Sequence, residues 1–175
     1  TMKMIILNGS ARRGNTYAAI QALKEGASEK HEVEVLDADK LKISPCKGCG
    51  ACQCYKGCID QVDTNPVTEK IAAADMIVFA TPVYWWGMTA QLKQVIDKCY
   101  CRGMQIKGKK VGFIVTGGAP TDDPQYELIQ KQFECMANYL SWTIVFQKSY
   151  SANAKDELAN NSGIMEELKE LGANL

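Results

Sequence analysis

The sequence predicts an α/β fold built on a parallel sheet, and two observations support this prediction. Short apolar runs recur along the chain and alternate with stretches that have helical periodicity. Most of these runs are apolar at nearly every position, as strands covered by helices on both faces should be. Right-handed crossovers then leave the common doubly wound strand orders as the candidate topologies.

The apolar runs predict five strands. The second run alternates valine with glutamate, so we expect it at an edge of the sheet. In chain order the runs are MIIL (4–7), VEVL (33–36), MIVFA (76–80), VGFIV (111–115) and WTIVF (142–146).

Helices are predicted between these strands. The segment from Asn15 to about Ala27 has small and apolar residues at helical spacing. The dipeptides Asn65–Pro66 and Asp123–Pro124 each place a capping residue before proline, which favours the first helical position. One apolar helix face is expected between about residues 89 and 100, formed by Leu92, Val95, Ile96 and Cys99.

The C-terminal stretch from about residue 153 is polar, and we expect Gly163 to interrupt it. Its candidate apolar anchors are Leu158, Met165, Leu168 and Leu171.

The composition suits one domain covering residues 1–175, because 46% of the residues are hydrophobic and no linker or repeat interrupts the chain. Twenty basic and 20 acidic side chains give a net charge of zero, so no strong field attracts nucleic acid or an anionic membrane. No apolar run is long enough to span a bilayer, and no signal peptide is apparent. We therefore expect a cytoplasmic protein with no membrane partner.

Cysteine is the most informative residue type in this chain. Of eight cysteines, five crowd the stretch 46–58, which indicates metal or redox chemistry in a cytoplasmic protein rather than disulfides. Cys99, Cys101 and Cys135 lie elsewhere and are expected to be buried small apolar residues. His31 is the single histidine and is expected to be solvated, so mechanisms that need a Ser–His or Cys–His pair have almost no residues available.

The loop NGSARRGNT, residues 8–16, has the features of a phosphate-binding turn. Gly9 and Gly14 are spaced as in the Walker motif, but Asn15 replaces its lysine, and the dinucleotide fingerprint lacks a glycine. The loop therefore predicts a monophosphate at a helix N-terminus, and the alternative is an ordinary capped strand–helix turn. The candidate donors are Ser10, Asn15 and Thr16, with Arg12 or Arg13 supplying positive charge.

At this loop the sequence resembles the flavodoxin-like NAD(P)H-dependent FMN reductases, and among them the iron–sulfur flavoproteins. The family segment reads GSPRxxGNT, where this chain has GSARRGNT with Ala11 in place of proline. A second segment, TPVYWWGMTAQLK (81–93), is similar to SPVYxGxxSAQLK of the family, which lines the isoalloxazine ring. A third, TGGAP (116–120), matches the place where the family's backbone approaches the flavin. The resemblance spans about residues 2–120.

The resemblance implies a flavodoxin-like, doubly wound five-stranded parallel sheet in the order 2-1-3-4-5, with helices on both faces. For the aromatic run Tyr84–Trp86 the alternative is packing in the core or in a dimer interface. The FMN-binding residues that the family resemblance implies are Ser10, Arg12, Asn15, Thr16, Pro82, Val83, Tyr84, Trp85, Gly87, Thr116, Gly117 and Gly118.

A cysteine-rich loop is predicted at about residues 42–60. Cys46, Cys49, Cys52 and Cys58 form C-x2-C-x2-C-x5-C, with interspersed glycines that let the backbone turn closely. This motif resembles that of the iron–sulfur flavoproteins, in which four such cysteines bind a [4Fe–4S] cluster. Zinc is an alternative, although structural zinc sites usually combine two separated ligand pairs. A packed loop of free thiols is another, and Cys54 is a thiol that the motif does not require.

The resemblance implies an FMN-dependent oxidoreductase in which NAD(P)H reduces the flavin and the flavin reduces a small-molecule or protein acceptor. The flavin N5 carries the chemistry, so no catalytic side chain is required. A cluster would exchange single electrons with the flavin, and a homodimer or homotetramer is expected. The alternatives are a flavin and iron–sulfur electron carrier without a substrate of its own, and a cysteine-based redox sensor.

Overall fold

The computed structural model describes residues 1–60 and 62–175. Within these residues the strands are β1 (Lys3–Asn8), β2 (Glu32–Asp37), β3 (Met76–Pro82), β4 (Lys110–Gly117) and β5 (Thr143–Ser151). They form one parallel sheet in the order β2-β1-β3-β4-β5, which confirms the predicted flavodoxin-like topology and the edge position of β2. The first four apolar runs lie inside strands, while β5 begins at Thr143 rather than Trp142.

Five α-helices connect the strands within the described residues: α1 (Asn15–Ala27), α2 (Thr64–Ala73), α3 (Ala90–Lys98), α4 (Pro124–Leu140) and α5 (Ser162–Ala173). Short 3-10 segments follow β2 at Ala38–Lys40 and α3 at Cys99–Gln105.

Two predicted helix boundaries are wrong. The residue that precedes α2 is Asp63, and the Asn65 side chain is instead bonded to the backbone of Cys58, to its N–H at 2.8 Å and its carbonyl at 2.7 Å. Gly163 does not interrupt the C-terminal helix but lies in its first turn. The Asn161 side chain caps that helix by accepting the Ile164 N–H at 3.1 Å, which holds its start in place.

Helices cover both faces of the sheet because successive residues of each strand point to opposite sides. Met4 and Ile6 of β1 pack with α1 and α5, in a core that includes the predicted anchors Leu158 and Leu168. Ile5 and Leu7 pack on the other face with α2, α3 and α4. No helix among the described residues is long and apolar enough to cross a membrane.

The isolated cysteines and the histidine differ in part from expectation. Cys99 and Cys101 are buried, and burial raises the pKa of the Cys99 thiol to about 12. Cys135 is exposed on α4, so its predicted burial is wrong. His31 is half-buried rather than solvated, because its Nδ1 accepts the Met2 N–H at 3.2 Å.

Candidate functional site

A polar pocket of about 240 Å³ lies where β1, β3 and β4 end. The carboxyl ends of parallel strands meet at one edge of the sheet, where proteins of doubly wound fold bind ligands. Ten of the sequence-predicted residues line it: Ser10, Arg12, Asn15, Thr16, Pro82, Val83, Tyr84, Thr116, Gly117 and Gly118. Trp85 and Gly87 do not, and the pocket also includes Ala152 and Asn153.

Gly9 anchors the first loop of the pocket. Its N–H donates to the Ala80 carbonyl at 2.8 Å. Its carbonyl accepts from Thr89 Oγ1 at 2.7 Å and from Gln91 Nε2 at 3.0 Å. A Cβ at this position would lie 2.9 Å from Thr89 Oγ1 and 3.1 Å from the Ala80 carbonyl oxygen. Glycine is therefore required by the close approach of β3 and α3.

A chain of hydrogen bonds from β2 orders the same loop. Asp37 Oδ1 accepts from Asn8 Nδ2 at 2.9 Å, and Asn8 Oδ1 accepts the Ser10 N–H at 2.9 Å. Burial acts to raise the pKa of Asp37, but the Asn8 hydrogen bond and the cations Lys40 and Arg13 outweigh it and hold that pKa below its usual value. A charged Asp37 thus stabilises the loop conformation.

The pocket contains a buried pair of hydroxyl groups. Thr16 Oγ1 of α1 and Thr116 Oγ1 of β4 are 2.8 Å apart, and the two residues are only 2% and 3% exposed. The Asn15 side chain is engaged elsewhere, because it donates to the Ala154 carbonyl at 2.9 Å and accepts the Leu158 N–H at 3.0 Å. Asn15 therefore offers a ligand its backbone N–H, in the first turn of α1, rather than its side chain.

The two arginines of the loop have different surroundings. Arg13 forms an ion pair with Asp37 at 3.6 Å, and its guanidinium lies 4.5 Å from the centre of the Tyr17 ring. Arg12 lines the pocket and folds over Gly14, whose Cβ would lie 2.9 Å from Arg12 Nε. Of the two candidates, Arg12 is placed to give the pocket positive charge.

A tight aromatic turn begins at the edge of the pocket. Tyr84 and Gly87 exchange backbone hydrogen bonds of 2.9 and 3.0 Å around Trp85 and Trp86. Both tryptophans have positive φ, 50° and 63°, where such turns usually have asparagine or glycine. Trp85 is 90% exposed, so the alternative that this run packs in the core of its own chain is wrong. Exposed aromatic rings in an unfavourable backbone conformation are typical of functional sites.

Glycines at the end of β4 and directly after it allow neighbouring side chains to approach the backbone closely. A Cβ at Gly117 would lie 2.7 Å from the Tyr126 hydroxyl, and one at Gly118 would lie 2.3 Å from Asn153 Oδ1. The segment after β5 is held against this loop, because the Ala152 N–H donates to the Gly117 carbonyl at 2.8 Å. Sequence reasoning missed Ala152 and Asn153, although the position of β5 in the same sheet is a signal that its end should lie at this edge.

The cysteine-rich loop borders a second cavity, of about 440 Å³, beside the C-terminal end of α3. All four predicted ligands, Cys46, Cys49, Cys52 and Cys58, line this cavity. Among the described residues they are not gathered into a group ready to hold a metal ion. Cys101 lines the cavity as well, and sequence reasoning had placed it among the small apolar residues.

Lys98 and Asp60 form an ion pair in the wall of this cavity, with Nζ and Oδ2 3.3 Å apart. Hydrogen bonds, of which the one from the Ser44 hydroxyl has the largest effect, outweigh burial and lower the pKa of the Asp60 carboxyl to about 2. Burial acts to lower the pKa of Lys98, but its interactions with Asp60 and Cys58 outweigh burial and raise it. Sequence reasoning missed both residues, since no motif marks them and the contact joins segments distant along the chain.

The backbone of the cysteine loop is fixed at its C-terminal half. The Gly57 N–H donates to the Cys101 carbonyl at 3.2 Å, and Gly57 has a φ of 83°, which favours glycine. The Cys54 carbonyl accepts the Met104 N–H at 3.1 Å. A hydrogen bond with Cys54 is the largest influence on the Tyr100 hydroxyl and raises its pKa. These contacts attach Cys54 to the 3-10 segment after α3.

The sheet order and the polar pocket at its carboxyl edge define a flavodoxin-like protein. Comparison with known proteins agrees with this class. The chain matches the family described as NADPH-dependent FMN reductase over residues 2–153, and it belongs to this family of flavin-dependent oxidoreductases.

Curated relatives include several iron–sulfur flavoproteins. One from Archaeoglobus fulgidus is 32% identical over 130 residues, which cover 71% of this chain and 64% of the relative. One from Methanosarcina thermophila is 33% identical over 140 residues, which cover 77% of this chain and 73% of the relative. The matched region thus spans less than two thirds of the length of the Archaeoglobus protein.

Solved structures share the fold at lower identity. The NAD(P)H:quinone oxidoreductase from Methanothermobacter marburgensis has a TM-score of 0.78 and 18% identity, over 99% of this chain and 96% of that chain. An azoreductase from Bacillus anthracis has a TM-score of 0.75 and 17% identity, over the full length of both chains. At this identity the likeness concerns the fold alone.

Proposed function

We propose that this chain binds FMN at the carboxyl-edge pocket and transfers reducing equivalents from NAD(P)H to an acceptor. The observation that carries the proposal is the meeting of the three predicted flavin loops at one polar pocket. Hydroxyl groups and backbone N–H groups at the start of a helix suit a phosphate monoester. The buried Thr16 and Thr116 hydroxyls satisfy each other and leave further hydrogen-bonding capacity for such a ligand.

Each part of the pocket has a separate task in this proposal. Ser10, Thr16 and the first-turn N–H groups of α1 bind the phosphate, and Arg12 offsets its charge. The turn Tyr84–Gly87 offers aromatic surface to the isoalloxazine ring, and the loop at Gly117 lets backbone approach it. Bound FMN supplies hydride and single-electron chemistry at its ring. The protein supplies binding, orientation and exclusion of water.

The phosphate assignment is tested by the double substitution Ser10→Ala with Thr16→Val. Loss of two hydrogen bonds to a charged phosphate should cost about 3 kcal/mol or more, which is at least about 100-fold in the Kd for FMN. The measurement is fluorescence titration of FMN into apoprotein. Thr143→Val, at the exposed first position of β5, is the control and should bind as wild type does. Unchanged affinity in the folded double variant would overturn the assignment.

Reduction of the bound flavin by NADH or NADPH distinguishes an oxidoreductase from an electron carrier. We expect NADH or NADPH to bleach the flavin absorption under anaerobic conditions, and an added acceptor to restore it. Flavin that dithionite reduces but neither nicotinamide reduces would favour the electron carrier instead.

We further propose that Cys46, Cys49, Cys52 and Cys58 hold a [4Fe–4S] cluster. Two observations support this: all four thiols line the same cavity, and several curated relatives carry the name iron–sulfur flavoprotein. The donor set fits the group, since thiolates are the usual ligands of such clusters. Gly48 and Gly50 have positive φ and no neighbour that a Cβ would meet, so the loop has room to close around it.

The cluster assignment is tested by Cys49→Ser in anaerobically purified protein. Wild type should hold about four irons per chain, and the variant should lose them while keeping its flavin. The exposed cysteine of α4 supplies the control, because Cys135→Ser should retain the iron. Zinc in place of iron, or no metal in wild type, would overturn the cluster.

The apolar side chains at the surface also support a homodimer or homotetramer. Exposed aromatic residues occur at the turn beside the pocket and beside the cysteine cavity, among them Trp85, Tyr100 and Tyr139. Light scattering of the holoprotein measures the mass, and a monomer would contradict this part of the proposal.

A further inference from the structure

Lys98 is a buried ammonium that faces the cysteine-rich loop. It is the last residue of α3 and is only 5% exposed, whereas lysine is rarely buried to this degree unless it is paired. Within the described residues its Nζ lies 3.3 Å from Asp60 Oδ2, 3.4 Å from Ser44 Oγ and 3.5 Å from Cys58 Sγ. All three partners belong to that loop.

Asp60 is itself held in place by hydrogen bonds, so its carboxylate fixes the position of the Lys98 ammonium. Its Oδ2 accepts from the Ser44 hydroxyl at 2.9 Å and from the Thr64 hydroxyl at 3.1 Å. Its backbone N–H donates to Cys58 Sγ at 3.4 Å. Among the described residues the Cys58 sulfur therefore has two donors, the Lys98 ammonium and the Asp60 N–H.

The chemistry of a thiolate-bound metal centre explains a buried cation at this position. Four thiolates bring more negative charge to the cavity than one carboxylate, and each must leave water to reach the centre. Hydrogen bonds and positive charge at a ligand sulfur reduce the charge on the centre, which makes reduction easier. The C-terminal end of a helix also favours a cation, so α3 holds Lys98 charged at low cost.

Helix α3 connects this lysine to the first loop of the flavin pocket. The Thr89 hydroxyl and Gln91 amide, at its beginning, both donate to the Gly9 carbonyl. Lys98 ends the same helix nine residues after Thr89, about 14 Å along its axis. A single rigid element therefore supports both proposed centres.

We propose that Lys98 is a positioning residue for the cysteine centre, which donates to the Cys58 sulfur and raises the reduction potential of the cluster bound there. This inference rests on the cluster of the proposed function. The simpler alternative is that Lys98 and Asp60 only form an ion pair that stabilises the loop.

The test compares Lys98→Met and Lys98→Arg with wild type, in reconstituted holoprotein. Midpoint potentials of the cluster are measured by redox titration with EPR, beside iron content and flavin content. We expect the cluster of Lys98→Met to have a more negative potential than that of wild type. The potential of Lys98→Arg should lie close to the wild-type value. Lys109→Met is the control, because Lys109 is a half-buried lysine that donates to the Ala72 and Ala74 carbonyls. The cluster of Lys109→Met should have the same midpoint potential as that of wild type.

The outcomes separate this inference from the proposed function. A Lys98→Met protein with full iron content and the wild-type potential would overturn the role of Lys98 and leave the cluster intact. Wild type without iron would overturn the cluster, and the role of Lys98 with it. If Lys98→Met does not fold, Lys98→Ala decides in its place, because it removes both the donor and the charge. A negative shift in that variant supports the inference, and an unchanged potential overturns it.

Discussion

Arg12 and Arg13 show how adjacent residues of the same type acquire different tasks. Arg13 is held by Asp37, which arrives from the end of β2, and by the ring of Tyr17. Arg12 has no such partner among the described residues and lies against Gly14 at the edge of the pocket. The sequence could not distinguish them, because the contact with Asp37 depends on the pairing of β1 with β2.

We predict that Arg12→Gln weakens FMN binding and that Arg13→Gln leaves it nearly unchanged. The expected loss for Arg12 is roughly tenfold in Kd, a modest effect because the side chain is exposed and its charge is screened. Titration of FMN into the two apoproteins at one ionic strength measures the difference. Equal losses in both variants would show that the loop's positive charge, rather than the position of Arg12, is what matters.

At the scale of elements, the contact between α1 and α5 depends on two glycines. A Cβ at Gly172 would lie 2.2 Å from the Leu23 carbonyl oxygen and 2.7 Å from the Ala27 nitrogen. A Cβ at Gly26 would lie 1.9 Å from the Lys169 carbonyl oxygen. In each case the obstructing atoms belong to backbone, which cannot rotate away. The helices therefore pack closely here only because both residues are glycine.

We predict that Gly172→Ala destabilises the protein by about 2 kcal/mol or more, since α1 and α5 must move apart. Gly163→Ala, in the first turn of the same helix, should stabilise it by up to about 1 kcal/mol, since its Cβ would meet only Asn161 Oδ1, at 3.5 Å. Urea denaturation of the two variants measures both free energies of unfolding. A Gly172→Ala protein as stable as wild type would disprove the close packing.

The sequence predicts elements well where local signals and tertiary contacts agree. Asp123 caps α4 as predicted and accepts the Gln125 N–H at 3.0 Å, with Pro124 at the first helical position. Asn65 has the same local signal, but a bond to the cysteine loop occupies its side chain and the helix starts earlier. The left-handed turn at Trp85 and Trp86 opposes local propensity, so no sequence pattern predicts its conformation.

At the scale of the whole molecule, the sheet converts separate motifs into one pocket. The three predicted loops follow β1, β3 and β4, and parallel pairing brings their starts to the same edge. This is why ten predicted residues line the pocket although the motifs are far apart in sequence. No comparable rule predicts which residues line the cysteine cavity, because Lys98 reaches it from the C-terminal end of α3 and not from the end of a strand. The contact between Lys98 and Cys58 could therefore be found only in the three-dimensional structure.

The edge strand β2 contributes to the pocket through Asp37, which orders the loop of residues 8–16 through hydrogen bonds. The conformation of this loop should therefore be sensitive to acid. The pKa of Asp37 lies below its usual value in the folded protein, where Asn8, Lys40 and Arg13 face its carboxylate. A lowered pKa means that the charged carboxylate stabilises the fold. That contribution is fully present above the ordinary pKa, near pH 4, and is lost as the pH falls through the folded-state value.

We therefore predict that Asp37→Asn is less stable than wild type at neutral pH, and that the difference closes as the pH falls below about 4. Free energies of unfolding from urea titrations at pH values between about 7 and about 3 measure the trend. Asp39→Asn, at an exposed position on the adjoining turn, is the matched control and should change stability little at any of these pH values. FMN affinity should follow the same course, because Asp37 acts on Ser10 through Asn8. A constant difference between wild type and Asp37→Asn across this range would show that the hydrogen bond matters and the charge does not.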